Sequence, residues 1–583
     1  MGAGTLIAEL KRRRVLRALV GYGIAAFAVL QIIEPIMHGL HWPDEVLSYV
    51  VVALAAGFPV VVALAWIFDV NEGRIERTAP APPGGLGGAR LAVLLVSIGA
   101  LAAAPGTIWY FLVRTRAGAN AGHPPAGASI AVLPFSDLSP QHDQEYLAEG
   151  LTVELLSALA QVPKLHVAGR VSSFSFKEKN TSIGQIGGEL HVSSVLQGSV
   201  QKAGDRVRIT AQLINVADGF HLWAQTFDRQ LNDIFAVEAE IARAVTATLK
   251  VMLKVDARQP WAEEPNLPPE AREHLLLGWY ILEHGSGDAD ARRAQEEFEE
   301  GVALAPRSAT AHAALSETVW SRATANPDAS ARATATRRAL AEADTAVRLD
   351  GRSSSALQAR GYVRMALFDW EGAGSDLERA FAIAPGDAGV LQVRALLLET
   401  IGKLREALEL SEAGTSLEPL DAALWARYGA ELLAAGRLDR ARSAFERSME
   451  LRPLQSWAAP FFLGTLELQE GHLDKALSAY QKCTSGGFRL AGVSMVKSAA
   501  GQARDSQAAL DELIEKYAGI DAYQVVWVYA HRGDFDQAFQ WLDRAHDQGD
   551  SGLWRLKWDP LLGKLRGDPR YTAMLKKMNL PLD

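Results

Sequence analysis

The carboxyl-terminal half of the chain repeats itself every 34 residues. Each copy carries a proline, an alanine, a second small residue and a large apolar residue at matching positions. Such a unit is a helix pair that cannot bury its apolar face alone, so neighbouring pairs must stack into a superhelix with a concave face. The positions that keep the spacing are Pro385, Pro419 and Pro453; Ala373, Ala407 and Ala441; Gly361, Ala395 and Gly429; and Leu357, Leu391 and Trp425.

This pattern resembles the tetratricopeptide repeat, in which small residues let helices A and B approach and a proline ends helix B. Three copies are clear, and about four degenerate copies occur near Ala294, Ala476, Ala509 and Gly533. We therefore predict an all-α tetratricopeptide superhelix over residues 272–583 that closes with a capping helix. Cys483 falls at the small position of a helix B, which predicts a buried thiol.

Residues 129–256 have a different pattern. Residues 129–135 are apolar and rich in β-branched side chains, which predicts a buried strand. Between residues 144 and 161 a leucine recurs every four residues, as in an amphipathic helix. Residues 206–213 alternate polar and apolar side chains, as in a strand with one wet face. With strands also predicted at 165–168, 191–200 and 220–227, and helices at 183–190 and 234–253, the order indicates an α/β domain with a mixed sheet.

Five blocks of this domain resemble the bacterial TolB-like amino-terminal domain, namely residues 130–135, 149–155, 170–174, 195–200 and 221–223. The resemblance implies an α/β fold followed by tetratricopeptide repeats. It also implies a family in which a class III adenylate cyclase or a winged-helix regulator is often present. It implies no catalytic residue and no cofactor.

Three apolar stretches, at about 15–37, 46–68 and 91–113, predict three transmembrane helices within residues 1–116. Each has about 23 residues and would be roughly 34 Å long as a helix, enough for a hydrocarbon core of about 30 Å. A cleaved signal peptide is the alternative for the first stretch. It is disfavoured because no small-x-small cleavage site follows and the next segment is another span. The lipid bilayer is thus a predicted partner.

Basic residues determine the predicted orientation. Lys11–Arg14 precede the first span, and Arg74, Arg77 and Arg90 lie between the second and third. The positive-inside rule then predicts a bacterial inner membrane protein with a cytoplasmic amino terminus and periplasmic domains. Glu34 is either an intramembrane functional acid or, as we prefer, an interfacial residue.

Two segments separate the predicted domains, the first rich in Gly and Pro and the second rich in Pro. Residues 117–128 predict a flexible tether after the membrane region, and residues 257–271 a linker before the repeats. The predicted order is therefore membrane region 1–116, tether 117–128, TolB-like domain 129–256, linker 257–271 and repeat array 272–583.

The sequence lacks the common signatures of catalysis. It contains no G-x-x-x-x-G-K-[ST], no G-x-S-x-G and no H-E-x-x-H. A net charge of −9 argues against a nucleic-acid partner, because phosphate binding needs concentrated Lys and Arg. We therefore predict no enzyme activity, no cofactor and no metal site.

Two groups of residues are candidates for binding a protein or peptide. The first group should face the groove of the superhelix, where mixed polarity suits a peptide ligand. The second lies in a predicted loop after a strand, where a guanidinium, two hydroxyls and a ring form a recognition surface. The alternative for the second group, which we prefer, is a loop pinned by Arg170 with Phe174 in the core. The candidates are Gln358, Tyr362, Met365, Gln392 and Glu399, and Arg170, Ser172, Ser173 and Phe174.

The sequence supports two functional hypotheses. The first is a membrane-anchored periplasmic scaffold that binds proteins or peptides in its repeat groove. The second is a signalling component that couples periplasmic sensing to a separate cytoplasmic adenylate cyclase or transcription regulator. The identity of the partner, the oligomeric state and the number of intact repeats stay open.

Overall fold

The computed structural model describes residues 128–582 except 163, 178, 205, 231–233, 254–266, 286, 325, 327 and 453–457. It also describes Tyr22, Val29, 68–71 and 74–77 in the amino-terminal part. The chain divides into two compact units, Met1–Ala121 and Gly122–Asp583.

The described part of the first unit is a β-hairpin. Strands β1 (Phe68–Asn71) and β2 (Arg74–Arg77) pair antiparallel, with Phe68 opposite Arg77. The hairpin begins at the last residue of the second predicted span. The rest of the three predicted spans, apart from the helical Tyr22 and Val29, lies outside the described residues.

No helix among the described residues is both long enough and apolar enough to cross a membrane. The predicted three transmembrane helices, and the inner-membrane location with periplasmic domains that depended on them, are contradicted by this finding. The longest described helix, Ala329–Leu349, shows why the long helices among the described residues do not qualify. It carries a charged side chain in almost every turn, and such charges are costly in hydrocarbon; they are Arg332, Arg337, Arg338, Glu342, Asp344 and Arg348.

Residues 129–230 of the second unit form a six-stranded mixed sheet. The strand order is β5-β3-β6-β7-β8, with β4 also pairing with β6. Strands β3, β5 and β6 are parallel, whereas β6, β7 and β8 form an antiparallel meander. The elements are β3 (Ser129–Val132), β4 (Ser136–Asp137), α1 (Glu145–Ala160), β5 (His166–Val167), α2 (Arg170–Phe174), α3 (Ile183–Leu190), β6 (Ser194–Ala203), β7 (Arg206–Asn215), β8 (His221–Gln230) and α4 (Ile234–Leu253).

Helices pack on both faces of the sheet, where its apolar side chains lie. All four residues of the central strand β3 are buried, which explains its unbroken apolar run. Leu155 of α1 and Ile241 of α4 pack in one core with Ile209 of β7. On the other side, Ile186 of α3 packs with Val195 of β6 and other apolar residues.

The structure differs from the sequence prediction at residues 170–174, which form the short helix α2 and not a loop. The helix has no capping side chain within its own domain. Its first free backbone N–H groups are instead satisfied by Glu418 of the repeat array. Such a long-range contact is invisible in the local sequence pattern.

The repeat array consists of helix pairs, and the helical superhelix is confirmed. We call the first helix of each pair helix A and the second helix B. In the described residues the pairs number eight, against seven predicted copies. They are α5 (Pro269–His284) with α6 (Asp288–Leu304), α7 (Ala309–Thr324) with α8 (Ala329–Leu349), α9 (Ser354–Ala366) with α10 (Trp370–Ile383), α11 (Ala388–Thr400) with α12 (Leu404–Leu417), α13 (Ala422–Ala434) with α14 (Leu438–Leu451), α15 (Ala458–Gln469) with α16 (Leu473–Gln481), α17 (Gly486–Ala499) with α18 (Ala503–Tyr517), and α19 (Ala522–Arg532) with α20 (Phe535–Gln548).

Recurring residues at the ends and contacts of the helices explain the period of the array. Asp387 and Asp421 cap α11 and α13 by accepting hydrogen bonds from the first free backbone N–H groups. Ala395 is fully buried, as expected for a small residue at the contact between helices A and B. Cys483 is buried as predicted, and burial raises the pKa of its thiol to about 12.

The chain continues beyond the last pair in two 3₁₀ helices, Ser551–Arg555 and Pro560–Leu565, and a final helix α21 (Pro569–Lys577). We call residues 551–582 the carboxyl-terminal segment. The predicted capping helix, over residues 558–571, instead covers the second 3₁₀ helix and only the first residues of α21.

The contact between helices A and B can be tested at Gly429. A Cβ atom there would lie 2.5 Å from Cε1 of Phe445, so Gly429→Ala should lower the free energy of unfolding by about 1–3 kcal/mol. Gly374→Ala is the matched control, because its Cβ would meet only Leu397 Cδ2, at 3.8 Å. It should be neutral, or stabilising by up to about 1 kcal/mol through helix propensity. Urea unfolding of both variants checks this, and equal effects would show that the assigned helix contact is wrong.

Candidate functional site

The concave face of the superhelix is occupied by the chain's own carboxyl-terminal segment. This segment contacts the A helices α7, α9, α11, α15 and α19, which belong to five different repeats. A segment that touches repeats so far apart must lie inside the curve of the array. The predicted groove therefore exists, but part of it is already filled.

Trp554 is the aromatic centre of this contact. Its ring stacks on Trp320 of α7, with centroids 6.0 Å apart and planes 10° from parallel. The edge of Tyr362 of α9 meets the same ring at 5.8 Å. Trp320 and Tyr362 also contact each other at 4.5 Å, so three rings from three elements form one cluster. Pairs of this kind add about 0.5–1.5 kcal/mol beyond the burial of their surface.

Polar contacts hold the segment on either side of Trp554. The carboxylate of Asp559 accepts hydrogen bonds from Trp527 Nε1 at 2.6 Å and from the Tyr523 hydroxyl at 3.1 Å, both on α19. Lys557 Nζ donates to the carbonyl oxygen of Ile401, at the end of α11, at 3.2 Å. Farther on, Trp370 Nε1 of α10 donates to the carbonyl oxygen of Met578 at 2.7 Å.

The structure separates the predicted groove residues into different environments. Tyr362 faces the concave side and contacts Trp554, whereas Met365 has no exposed surface and packs in the core. Gln358 is half-buried, and half-buried Gln392 donates weakly to Asp421 at 3.5 Å. Glu399 is only 3% exposed. Met365 is therefore not available to touch a partner in this conformation.

Two carboxylates lie buried together in the middle of the array. Glu399 pairs with Arg427 at 3.1 Å, and Glu431 accepts a hydrogen bond from the Ser411 hydroxyl at 2.8 Å. Burial raises the pKa of both, and the nearby charge of Glu399 raises the pKa of Glu431 further, well above its usual range. The positive charges of Arg427 and Arg555 oppose the shift at Glu399 by favouring its ionised form.

A second acidic group lies on the concave side. The side chain of Glu317 on α7 keeps an exposed surface, but the surrounding helices partly desolvate its carboxyl group and raise its pKa to about 7. The negative charge of Asp387 acts in the same direction. Among the described residues Glu317 has no hydrogen bond and no ion pair. This part of the concave face is therefore accessible beside the carboxyl-terminal segment.

The second predicted group lies in a contact between the α/β domain and the repeats. Backbone N–H groups of Val171 and Ser172 donate to the two carboxylate oxygens of Glu418 at 3.0 and 2.7 Å. The Ser172 hydroxyl accepts from the Leu420 N–H at 3.0 Å, and Arg170 pairs with Glu283 of α5 at 2.7 Å. Burial raises the pKa of Glu418 to about 7, against the opposing effect of these hydrogen bonds.

The other two members of this group have internal partners as well. The Ser173 hydroxyl donates to the carbonyl oxygen of Ala168 at 3.5 Å, and the half-buried ring of Phe174 packs against the core of the α/β domain. Ser172 and Ser173 have no exposed surface. Arg170 and Ser172 therefore contact the repeats, whereas Ser173 and Phe174 pack within the α/β domain, and the group does not form an open recognition surface in this conformation.

A cleft of about 720 Å³ opens at the carboxyl end of β3, above the polar faces of β6 and β7. Lys177 projects there between the carboxylates of Glu145 and Glu149, the latter at 2.6 Å. Burial alone would lower the pKa of Lys177, but the two carboxylates raise it to about 12. Glu145 also accepts a hydrogen bond from the hydroxyl of Tyr280 on α5 at 3.0 Å. The charge of Lys177 is thus already neutralised by the protein.

One cluster in the described residues has the composition of a metal site, namely Glu467, Glu470 and His472. Arg442 contacts both carboxylates, with 2.6 Å between its Nη2 atom and Glu470. His472 Nδ1 lies 2.9 Å from Glu467. The cluster is therefore explained as an ion-pair network.

The sequence analysis did not identify Trp554, Trp558 and Asp559 as contacts of the concave face, and of the two paired acids it named only Glu399. Trp554, Trp558 and Asp559 do stand out in the sequence, because two tryptophans four positions apart follow the last repeat without its period. That irregularity was the available signal. Glu399 and Glu431 are separated in sequence and come together only because neighbouring A helices pack side by side.

Comparison with known proteins gives partial matches. Residues 126–244 match the family model of the HilA/YgeH-like transcriptional regulator, second domain. A relative named "Putative adenylate cyclase 3", from Rhizobium meliloti (strain 1021), is 39% identical over 194 residues. That alignment covers 33% of this chain and 32% of the relative, so the chain spans about a third of that protein's length. The resemblance to the TolB-like domain stays a prediction.

Solved structures resemble the repeat array only loosely. PilF of Pseudomonas aeruginosa is 18% identical, with a TM-score of 0.30, and covers 42% of this chain and 97% of its own. A thermophilic TPR protein of Thermus thermophilus is 19% identical, with a TM-score of 0.28, over 36% of this chain and 99% of its own. A human IFIT1 dimer with m7Gppp-AAAA is 14% identical, with a TM-score of 0.37, over 54% and 79%. At such scores these proteins say nothing about function here.

The contact between domains can be tested at Glu418. Glu418→Ala leaves the N–H groups of Val171 and Ser172 without an acceptor, so the free energy of unfolding should fall by about 1–3 kcal/mol. Urea unfolding and limited proteolysis of the full chain measure the effect. The matched control is Glu409→Ala, at an exposed position of the preceding helix α12, which should change nothing measurable. Identical curves for both variants would show that Glu418 does not hold the domains together.

Proposed function

We propose that the chain is a scaffold that binds a protein segment on the concave face of its superhelix. The observation that carries the proposal is that this face already holds a chain segment, through an aromatic cluster and directed hydrogen bonds. A surface that recognises its own polypeptide in this way has the chemistry to recognise another. The sequence offers no catalytic signature, and we propose that the chain acts without chemistry of its own.

The shape of the array supports this function. Stacked helix pairs generate a long curved surface whose residues need not all pack in the core. Tyr362 and Glu317 are such residues, one half-buried and one exposed. An aromatic ring beside a carboxylate suits a segment that carries both apolar and basic side chains, because central aromatic anchors contribute most of the binding energy in many interfaces.

A second candidate function is a regulatory role beside a separate adenylate cyclase or transcription regulator. Two observations favour it. Residues 126–244 match a domain model from transcriptional regulators, and one relative carries the name of an adenylate cyclase. In this role the α/β domain would report to the repeats through the contact between α2 and Glu418, and the superhelix would bind the regulated protein.

The scaffold proposal can be tested with a photoreactive amino acid placed at one position at a time. At position 317, on the exposed concave side, we expect a covalent adduct with a partner protein in living cells. At position 446, exposed on helix α14, we expect none. A third variant carries the probe at position 226, on the open face of strand β8. Adducts at 226 alone would move the binding site to the α/β domain and contradict the proposal.

The regulatory candidate has its own readout. Cyclic AMP is measured in cells with and without the chain, and again in cells that lack each class III cyclase in turn. A change that disappears with one cyclase would support the regulatory role. Turnover of ATP to cyclic AMP by the purified chain would contradict the proposal that it is not an enzyme.

A further inference from the structure

The carboxyl-terminal segment offers the superhelix a definite pattern of side chains. Trp554 enters the cluster of Trp320 and Tyr362, and the next residue, Arg555, lies with its guanidinium 5.7 Å from the ring centroid of Phe462 on α15. Four positions after Trp554 comes Trp558, which is only 6% exposed. Asp559 follows it and meets the two donors on α19. The pattern is thus an aromatic and a basic residue, then an aromatic and an acidic residue one helical turn later.

The segment contacts the A helices through its own side chains at Trp554, Arg555 and Asp559. The 3₁₀ helices of the segment satisfy their own backbone groups over short stretches. The contacts of Trp554, Arg555 and Asp559 with the A helices are ring contacts and side-chain hydrogen bonds. Another chain with the same side chains at the same spacing can therefore make the same contacts.

The fit of the segment is incomplete. Among the described residues, Trp558 Nε1 is buried without a hydrogen-bond partner. A buried polar atom left unpaired opposes the bound arrangement. A competing segment whose second aromatic residue leaves no such atom unpaired would bind better than the resident one.

The segment also begins at a point that can act as a hinge. Helix α20 ends at Gly549, which has a φ of 65°, in the left-handed region that favours glycine. Asp550 then turns the chain toward the concave face by accepting from the backbone N–H groups of Tyr523 and Gly552. Rotation about these residues moves the first 3₁₀ helix without unwinding α20.

We propose that the carboxyl-terminal segment is a resident competitor for the partner site. The partner is a protein segment with two tryptophan-sized aromatic residues four positions apart, a basic residue directly after the first and a carboxylate directly after the second. It binds by displacing Ser551–Leu565 from the A helices. This inference rests on the proposed scaffold function and names the partner chemistry and the regulation of the same site.

The competition has a quantitative consequence. A short tether holds the segment at an effective concentration on the order of 1 mM; with an intrinsic Kd of about 10 µM for the resident segment, a competing peptide binds the closed chain roughly 100-fold more weakly than the open groove. Only an abundant or tightly binding partner then opens the groove.

The test uses a fluorescent synthetic peptide of residues 549–567 and the full chain. The open variant carries Trp554→Ala together with Trp558→Ala, and the matched control is Lys576→Ala, at an exposed position of α21. We expect the peptide to bind the open variant at least 10-fold more tightly than wild type or the control. A peptide with the same two tryptophans changed to alanine should not bind.

A second measurement covers the case in which the open variant does not fold, as judged by circular dichroism. Excess peptide is added to the wild-type chain, and trypsin cleavage after Arg555 and Lys557 is followed by mass spectrometry. We expect the peptide, but not its alanine version, to speed this cleavage.

The outcomes separate this inference from the scaffold proposal. Equal binding to the open variant and wild type, or no binding together with unchanged cleavage, would overturn the inference. If the probe at position 317 captures a partner that the peptide does not displace, the scaffold proposal stands and the competition is wrong.

Discussion

The structure depends on a surface that helix pairs cannot cover by themselves. Each pair buries the face that touches its neighbours, and the curvature of the stack leaves the A helices lining an inner wall. That wall carries large aromatic side chains, among them Trp320, Tyr362 and Trp527, whose apolar area is unfavourable in water. The carboxyl-terminal segment covers this area. The apolar area of this wall therefore explains both why the segment lies in the groove and why the groove can bind a protein segment.

Charged groups at the centre of that wall give the contact its selectivity. Glu399, Glu431 and Arg427 are brought together by adjacent A helices, and Arg555 arrives from the carboxyl-terminal segment. Burial lowers the pKa of Arg555, while the nearby acids oppose that shift. Desolvated charges of this kind contribute little net stability, but a wrong partner would leave them unpaired. A segment that lacks a basic residue at the position of Arg555 therefore binds more weakly than the small loss of buried area alone would predict.

The α/β domain is connected to the same framework through a few directed contacts. Glu418 lies in the turn between α12 and α13, which leads directly into the helix that carries Arg427 and Glu431. Its carboxylate satisfies the amino-terminal end of α2, and Tyr280 of the first repeat bonds to Glu145 at the cleft of the α/β domain. Both contacts lie within one compact unit, and the Glu418 contact adjoins the helix that carries Arg427 and Glu431.

The sequence by itself determined the local structure of this protein, and the tertiary structure decided where its surfaces meet. The 34-residue period specified the helix pairs, since Gly361 and Gly429 must lie where two helices touch, and alternation specified strand β7. Tyr362 was placed toward the groove by the same periodicity. The prediction that Met365 faces the groove was wrong, because this side chain is buried in the core. The route of the carboxyl-terminal segment and the docking of α2 join residues separated by hundreds of positions. They follow from the curvature accumulated over eight helix pairs, which no local pattern of residues encodes.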